Sequence, residues 1–237
     1  MEENKNGLHE GHRERLRKRF LETGLDGFDE HEVLELLLTY AIPRVDVNER
    51  AHRLIKRFGS LAAVLDAPFE ELTQVEGVGE RAASLLKLEP QLLRRYQLSR
   101  QVQRRDHCLD TAEKAGAYLL PRFTGLQEEA VYLLCLDPGG HLLKCILLSR
   151  GTETAALIPV KKLVETALRE RAHSVVLAHN HPGGTAVPSR EDVELTRRLY
   201  EALRLVDVQL ADHLVVADND FTSLAESGYF KAFENGA

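Results

Sequence analysis

The sequence predicts an all-helical N-terminal region followed by an α/β region, a mixed sheet flanked by helices. Three observations carry this. From residue 12 to about 95, apolar residues recur at helical spacing. After about residue 110, strand-length apolar runs such as Glu129–Leu136 and Leu142–Ser149 alternate with amphipathic helical stretches. Between the two patterns, Arg94 to Arg105 holds arginines 94, 95, 100, 104 and 105 and no acid, with Gln97, Gln101 and Gln103 among them. That stretch reads as a polar helix end and linker. The expected division is therefore a helical domain at 1–100, a linker at 101–110 and an α/β domain at 111–237.

The helical region takes its breaks from glycine and proline. His12–Leu21 is charged, with Leu16, Phe20 and Leu21 as its apolar residues, and Gly24 and Gly27 end it. Asp29-Glu30-His31-Glu32 caps a second helix. Its Val33, Leu34, Leu36, Leu37, Leu38 and Tyr40 are apolar almost all round, which predicts the core helix, ended by Pro43. Val47–Phe58 is amphipathic and stops at Gly59. Ser60–Leu65 is a short helix before Pro68.

Leu72 to Leu86 contains Gly77-Val78-Gly79 ahead of a helix with small Ala83, and looks like a helix-hairpin-helix. Such glycines allow a tight turn and close backbone approach. The second helix's free N–H groups then suit a phosphate, which makes Gly77, Gly79 and Arg81 candidate nucleic-acid contacts. A turn used only for packing fits equally well, and acidic Glu76 and Glu80 flank it.

In the second region Thr111–Leu120 is a helix, and Asp137-Pro138-Gly139-Gly140 is a hairpin turn between two strands. Leu163–Arg171 is a helix before the apolar run Ser174–Ala178, which reads as a buried strand. Glu191–Leu205 is a long helix. Val206–Leu210 and Leu214–Val216 read as two short strands.

The strand Ser174–Ala178 leads into His179-Asn180-His181-Pro182-Gly183-Gly184, with Pro188-Ser189-Arg190-Glu191-Asp192 beyond it. Strand side chains alternate, so His179 and His181 leave on one side and two imidazoles can share a metal. Ser189 is a good N-cap, and Asp192 falls in the first helical turn. Two histidines and a carboxylate are the ligand count of a catalytic zinc site whose fourth position is open to water. Ser189-x-x-Asp192 also reads as a capping box, with Asp at the Glu or Gln position, and the two readings are compatible.

These residues resemble the JAMM (JAB1/MPN) metalloprotease pattern, His-x-His, seven residues, then Ser-x-x-Asp. The longer string His-Asn-His-Pro-x-Gly with Pro-Ser-x-x-Asp is similar to the RadC branch of that fold. The chain departs from the branch at Gly183-Gly184-Thr185 and at Pro159-Val160-Lys161, neither of which carries a candidate ligand. The resemblance implies a JAMM/MPN-like, deaminase-type core holding Zn2+ on His179, His181 and Asp192. It also implies a general base at Glu129, with Glu128 as the neighbouring alternative, and an oxyanion donor at Ser189. Asp212-His213 matches a pair common in the family, either beside the metal site or structural.

Net charge of −6 gives no bulk attraction to nucleic acid, and residues 1–110 hold 18 Lys+Arg against 20 Asp+Glu. The three cysteines, Cys108, Cys135 and Cys145, lack paired spacing. Cys135 and Cys145 read as buried thiols suited to a reducing compartment. The N-terminus is polar and acidic, unlike a signal peptide, and no apolar run is long enough for a bilayer. The expectation is a cytoplasmic zinc hydrolase acting on a peptide or isopeptide bond of a protein substrate. The alternatives are a DNA-associated protein, weakly and non-specifically bound through its hairpin, whose zinc domain is a nuclease or scaffold, and a catalytically silent interaction protein.

Overall fold

In a computed structural model the described residues are 5–43, 45–102, 107–151 and 158–234. Arg104, Arg105 and Gln103 of the expected linker lie outside them. The chain divides into two units, residues 1–93 and 94–237. That division falls inside a helix rather than in a loop.

The first unit contains α1 (Lys5–Thr23), α2 (Glu30–Ala41), α3 (Asn48–Phe58), α4 (Leu61–Asp66), α5 (Phe69–Thr73) and the beginning of α6 (Glu80–Val102). Local chemistry sets the boundaries. Asp29 and Glu32 form a reciprocal capping box at α2. Ser60 Oγ accepts the Ala63 N–H at the start of α4. Gly59 closes α3 at φ +97°, which a side chain rarely adopts. The core holds Leu34, Leu38, Leu54, Leu72 and Leu86 with Val64 and Val78.

Two details differ from the sequence reading of α2. Tyr40 is 62% exposed, because the helix buries one face only, while Glu35 is 2% exposed. His12 Nε2 and Asn48 Nδ2, each at 2.9 Å, partner that buried carboxylate. Lys87 on α6 reaches back to α4 and donates to the carbonyls of Leu65, Asp66 and Ala67 at 2.9, 3.2 and 2.9 Å. Those are the carbonyls that a helix C-terminus leaves without partners.

The second unit is a three-layer α/β/α arrangement. α7 (Ala112–Phe123) precedes β1 (Ala130–Leu136) and β2 (Leu142–Arg150). Then come α8 (Val160–Arg169), β3 (Ser174–Asn180), α9 (Arg190–Arg204), β4 (Gln209–Ala217), β5 (Asp220–Ser223) and α10 (Tyr229–Glu234). The sheet order is β2-β1-β3-β4-β5, and only β3 and β4 run parallel. Val131, Leu133, Val175 and Leu177 face α8 and α9, where Leu163, Leu195 and Leu199 meet them. Ala130, Tyr132, Leu134, Val176 and Ala178 face α7, where Leu119 and Phe123 meet them.

The expected pair of strands near residues 206–216 is one strand. β4 runs unbroken through Ala211, Asp212 and His213, a polar stretch that looks like a gap. The register shifts there: Val175 pairs with Leu210, but Val176 pairs with Asp212. Ala211 is the extra residue of a bulge. Without it, Asp212 would share the face of Leu210. With it, Asp212 turns to the α7 face and His213, opposite Leu177, joins the face of His179. Asp212 is satisfied there by Ser223 Oγ–H at 2.6 Å and by the N–H groups of His213 and Ala225. Those bonds hold β5 and the turn after it, neither of which the sequence announced. Among the described residues no helix is long and apolar enough to cross a membrane.

Candidate metal centre

The site forms where the C-terminal end of β3 meets the start of α9. His179 near the end of β3 and His181 just past it lie on the α9 side, and both arms of the Ser189/Asp192 capping box are present. Ser189 N–H and Oγ–H both donate to Asp192 Oδ2, at 2.8 and 2.6 Å, while the Asp192 N–H donates to Ser189 Oγ at 3.1 Å. The cap turns Asp192 back toward the strand, so capping and convergence on the histidines occur together.

His179, His181 and Asp192 bring one ligand atom each within 4.8 Å of the others. His179 Nε2 lies 3.0 Å from His181 Nε2 and 3.2 Å from Asp192 Oδ1, and His181 Nε2 lies 3.4 Å from Asp192 Oδ2. Tetrahedral zinc with bonds of about 2.0–2.1 Å would set its ligands roughly 3.3 Å apart. His179 is fully buried and Asp192 nearly so, while His181 is the ligand candidate open to solvent.

Hydrogen bonds on the far side of each ring decide which nitrogen faces the cluster. Thr196 Oγ1 contacts the Asp192 main-chain carbonyl at 2.5 Å and His213 Nδ1 at 2.6 Å. A carbonyl only accepts, so the single hydroxyl proton goes to it, and His213 Nδ1 must be the donor to Thr196. Burial holds His213 well below its ordinary basicity, so it is neutral, and its Nε2 carries a lone pair. That lone pair sits 2.9 Å from His179 Nδ1, which must therefore carry a proton. Neutral His179 consequently turns an Nε2 lone pair toward the cluster. His181 Nδ1 donates to the Thr185 carbonyl at 3.1 Å, and neutral His181 does the same. Two lone pairs and a carboxylate facing one another repel unless positive charge lies between them. This donor set fits a divalent cation bound by imidazole and carboxylate.

Burial alone would raise the Asp192 carboxyl. Positive charge at the cluster, with the two bonds from Ser189, outweighs it and holds the group well below the usual carboxylate range. Asp192 is thus ready to bind a cation as the anion.

Glu129 immediately precedes β1 and is half-buried. Val131 pairs with His179 on the α9 face, so alternation puts Glu129 on that face, across from His181. Glu128 alternates to the other side, and its carboxylate lies 3.5 Å from Arg150 Nε. Ser189 is exposed at the mouth of the site, with its hydroxyl proton on Asp192.

The hairpin candidates belong to the other unit. Gly77 has φ +82°, a backbone conformation that side chains rarely adopt, so the turn itself favours glycine. Gly79 faces open space and Arg81 is exposed. Neighbouring Glu76 pairs with Arg53 at 3.1 Å.

Comparison with known proteins bears on the same residues. The RadC-like JAB domain matches residues 109–229, which include β1, β3, α9 and every candidate of the metal centre. The chain belongs to the RadC family. Residues 10–84 match the UPF0758 N-terminal domain, so the helical unit is part of the family pattern as well. A UPF0758 protein of Fusobacterium nucleatum is 31% identical over 224 residues, covering 92% of this chain and 97% of its own. One from Cupriavidus taiwanensis is 36% identical over 90% of this chain and 93% of its own. One from Vibrio parahaemolyticus is 35% identical over 90% and 94%. RadC membership places the second unit in the JAMM-type hydrolase superfamily and accounts for its mixed sheet.

Sequence reasoning left His213 undecided and passed over Thr196 and Asn180. His213 becomes readable only once the bulge at Ala211 is seen. Thr196 lies one helical turn after Asp192, a spacing that does place it on the same helix face.

Proposed function

We propose that this RadC protein is a zinc-dependent hydrolase of JAMM type that cleaves a peptide or isopeptide bond. The observation that carries the reading is the convergence of His179 Nε2, His181 Nε2 and the Asp192 carboxylate, three electron-rich groups with no donor among them. His179, His181 and Asp192 would hold the zinc, which supplies a Lewis acid and activates water at neutral pH.

The chain's own residues supply the rest. Glu129, on the face of the histidines, is the general base. It takes a proton from the attacking water and hands it to the departing nitrogen. Ser189 orients Asp192 through two bonds. To serve as an oxyanion donor as well, its hydroxyl must exchange Asp192 for the substrate oxygen. The exposed side of His181 is where a polypeptide can approach. Burial of His179 keeps water from the inner wall, where charge interactions are strongest.

The test is turnover by zinc-loaded protein on a panel of peptide- and isopeptide-linked substrates, with Glu129→Gln as control. Glutamine keeps the shape and cannot accept the proton. Loss of roughly 10²–10⁴-fold in turnover with zinc content unchanged supports the reading. Full activity in Glu129→Gln with loss in Glu128→Gln moves the base by one residue. Activity in both variants overturns the mechanism.

A further inference from the structure

Asn180 stands between His179 and His181, and its side chain leaves on the opposite face of β3. It is 5% exposed, so its carboxamide must find partners inside the protein. The β1–β3 ladder ends at the pair Val131 and His179. Beyond that point the Asn180 side chain continues it. Its Oδ1 accepts the Ala130 N–H at 2.7 Å, and its Nδ2 donates to the Glu128 carbonyl at 3.2 Å.

Those two backbone groups belong to the peptide units on either side of Glu129. A carboxamide bonded in this way imitates a residue of a parallel ladder, which brackets one residue of its neighbour. From the β2 side, the Gly151 N–H donates to the Glu129 carbonyl at 2.9 Å. Glu129 is therefore pinned from both sides at the strand start, where chain ends otherwise fray.

We propose that Asn180 is a positioning residue for Glu129: by holding the flanking peptide units, it fixes the direction in which that carboxylate leaves the strand. The proposal rests on the reading of Glu129 as the base. The residue type is specific to the task. Asparagine offers one donor and one acceptor on a short arm. Aspartate would set an acceptor against the Glu128 carbonyl. Alanine would leave the Ala130 N–H and the Glu128 carbonyl without these partners, and serine offers a single atom. The run Ala178-His179-Asn180-His181 thus sends two side chains toward the ion site and, between them, one to the peptide units that flank the base.

The test uses the full chain loaded with cobalt(II) in place of zinc. Cobalt stoichiometry, the pH profile of its visible absorption and hydrogen exchange at the Ala130 amide are measured. The variants are Glu129→Gln, Asn180→Ala, Asn180→Asp and the Glu129→Gln/Asn180→Ala double. All should bind one cobalt, because the ligand set is untouched. Glu129→Gln should displace the pH profile. Asn180→Ala should displace it in the same direction and speed exchange at Ala130, and the double variant should add nothing to Glu129→Gln alone. If Asn180→Ala does not fold, Asn180→Asp keeps the acceptor for Ala130 and carries the test alone. A shift in Glu129→Gln with a wild-type profile in the folded Asn180 variants overturns the positioning role. No shift in Glu129→Gln overturns the assignment of the base, and the proposal with it. A merely structural role for Asn180 would lower stability and leave the profile in place.

Discussion

Thr196→Val keeps the side chain's shape and removes one buried hydroxyl, with its bonds to His213 and to the Asp192 carbonyl. Thr196 is 0% exposed, so water cannot replace the hydroxyl. Its loss leaves the His213 Nδ1–H, which now bonds Thr196 at 2.6 Å, without an acceptor. A buried donor left unpaired costs about 1–3 kcal/mol. His213 can escape by moving its proton to Nε2, but that nitrogen then meets the His179 Nδ1–H at 2.9 Å, donor against donor. His179 must in turn move its proton to Nε2, the atom that faces Asp192 at 3.2 Å. Either route weakens the metal-facing lone pair. Loss of a group that orients a metal ligand commonly lowers affinity by about 10–100-fold. That range is roughly 1.4–2.8 kcal/mol, in line with the cost of the unpaired donor. Zinc affinity from competition with a chromophoric chelator should therefore fall 10–100-fold in Thr196→Val. Thr196→Ser, which keeps the hydroxyl, should stay within about threefold, or roughly 0.6 kcal/mol. Wild-type affinity in Thr196→Val would refute the chain of protons running from Thr196 through His213 to His179.

Further outcomes follow from the same structure. Burial holds His213 well below its ordinary value of 6.5, so below pH 6.5 the unfolded chain takes up a proton that the folded chain refuses. Metal-free protein should keep this contribution to stability above pH 6.5 and lose it as pH falls, by up to about 1.4 kcal/mol per pH unit. Urea unfolding at several pH values measures the slope, and His213→Gln with an unchanged slope would contradict it. Lys87→Met should destabilise the helical unit by about 2 kcal/mol through loss of the bonds to Leu65, Asp66 and Ala67, with zinc content unchanged. Duplex DNA should bind weakly, without sequence preference and with steep salt dependence, as measured by fluorescence anisotropy. Submicromolar affinity at physiological salt would show that Glu76 and Glu80 do not limit the hairpin.

What was legible in the sequence was local chemistry. Ser189 and Asp192 announce a cap by their spacing, Gly59 announces a helix end, and the alternation of His179 and His181 puts both on one side. The four-residue turn at Asp137–Gly140 joins β1 to β2 as its composition requires. Features set by pairing across the chain were not legible. Ala211 reads as an ordinary apolar residue, yet the bulge there decides which face His213 occupies. Asp212-His213 looks like a break because polar pairs usually end strands. Here both are buried, and each finds its partners far away in sequence. Tyr40 is exposed and Glu35 buried for the same reason: a carboxylate with His12 and Asn48 beside it can be buried, and one helix face must still meet water. Asn180 was hidden by its neighbours, since alternation explains His179 and His181 without giving the residue between them a purpose.

The central claim is that His179, His181 and Asp192 together hold one zinc ion, and metal content tests it most directly. Elemental analysis of purified, zinc-loaded protein should give one zinc per chain. His181→Ala and Asp192→Ala should abolish it, and Glu129→Gln should retain it. Both ligand variants should remain folded in the helical unit. A full equivalent of zinc retained in His181→Ala and Asp192→Ala would contradict the account, because the ion would then be held elsewhere.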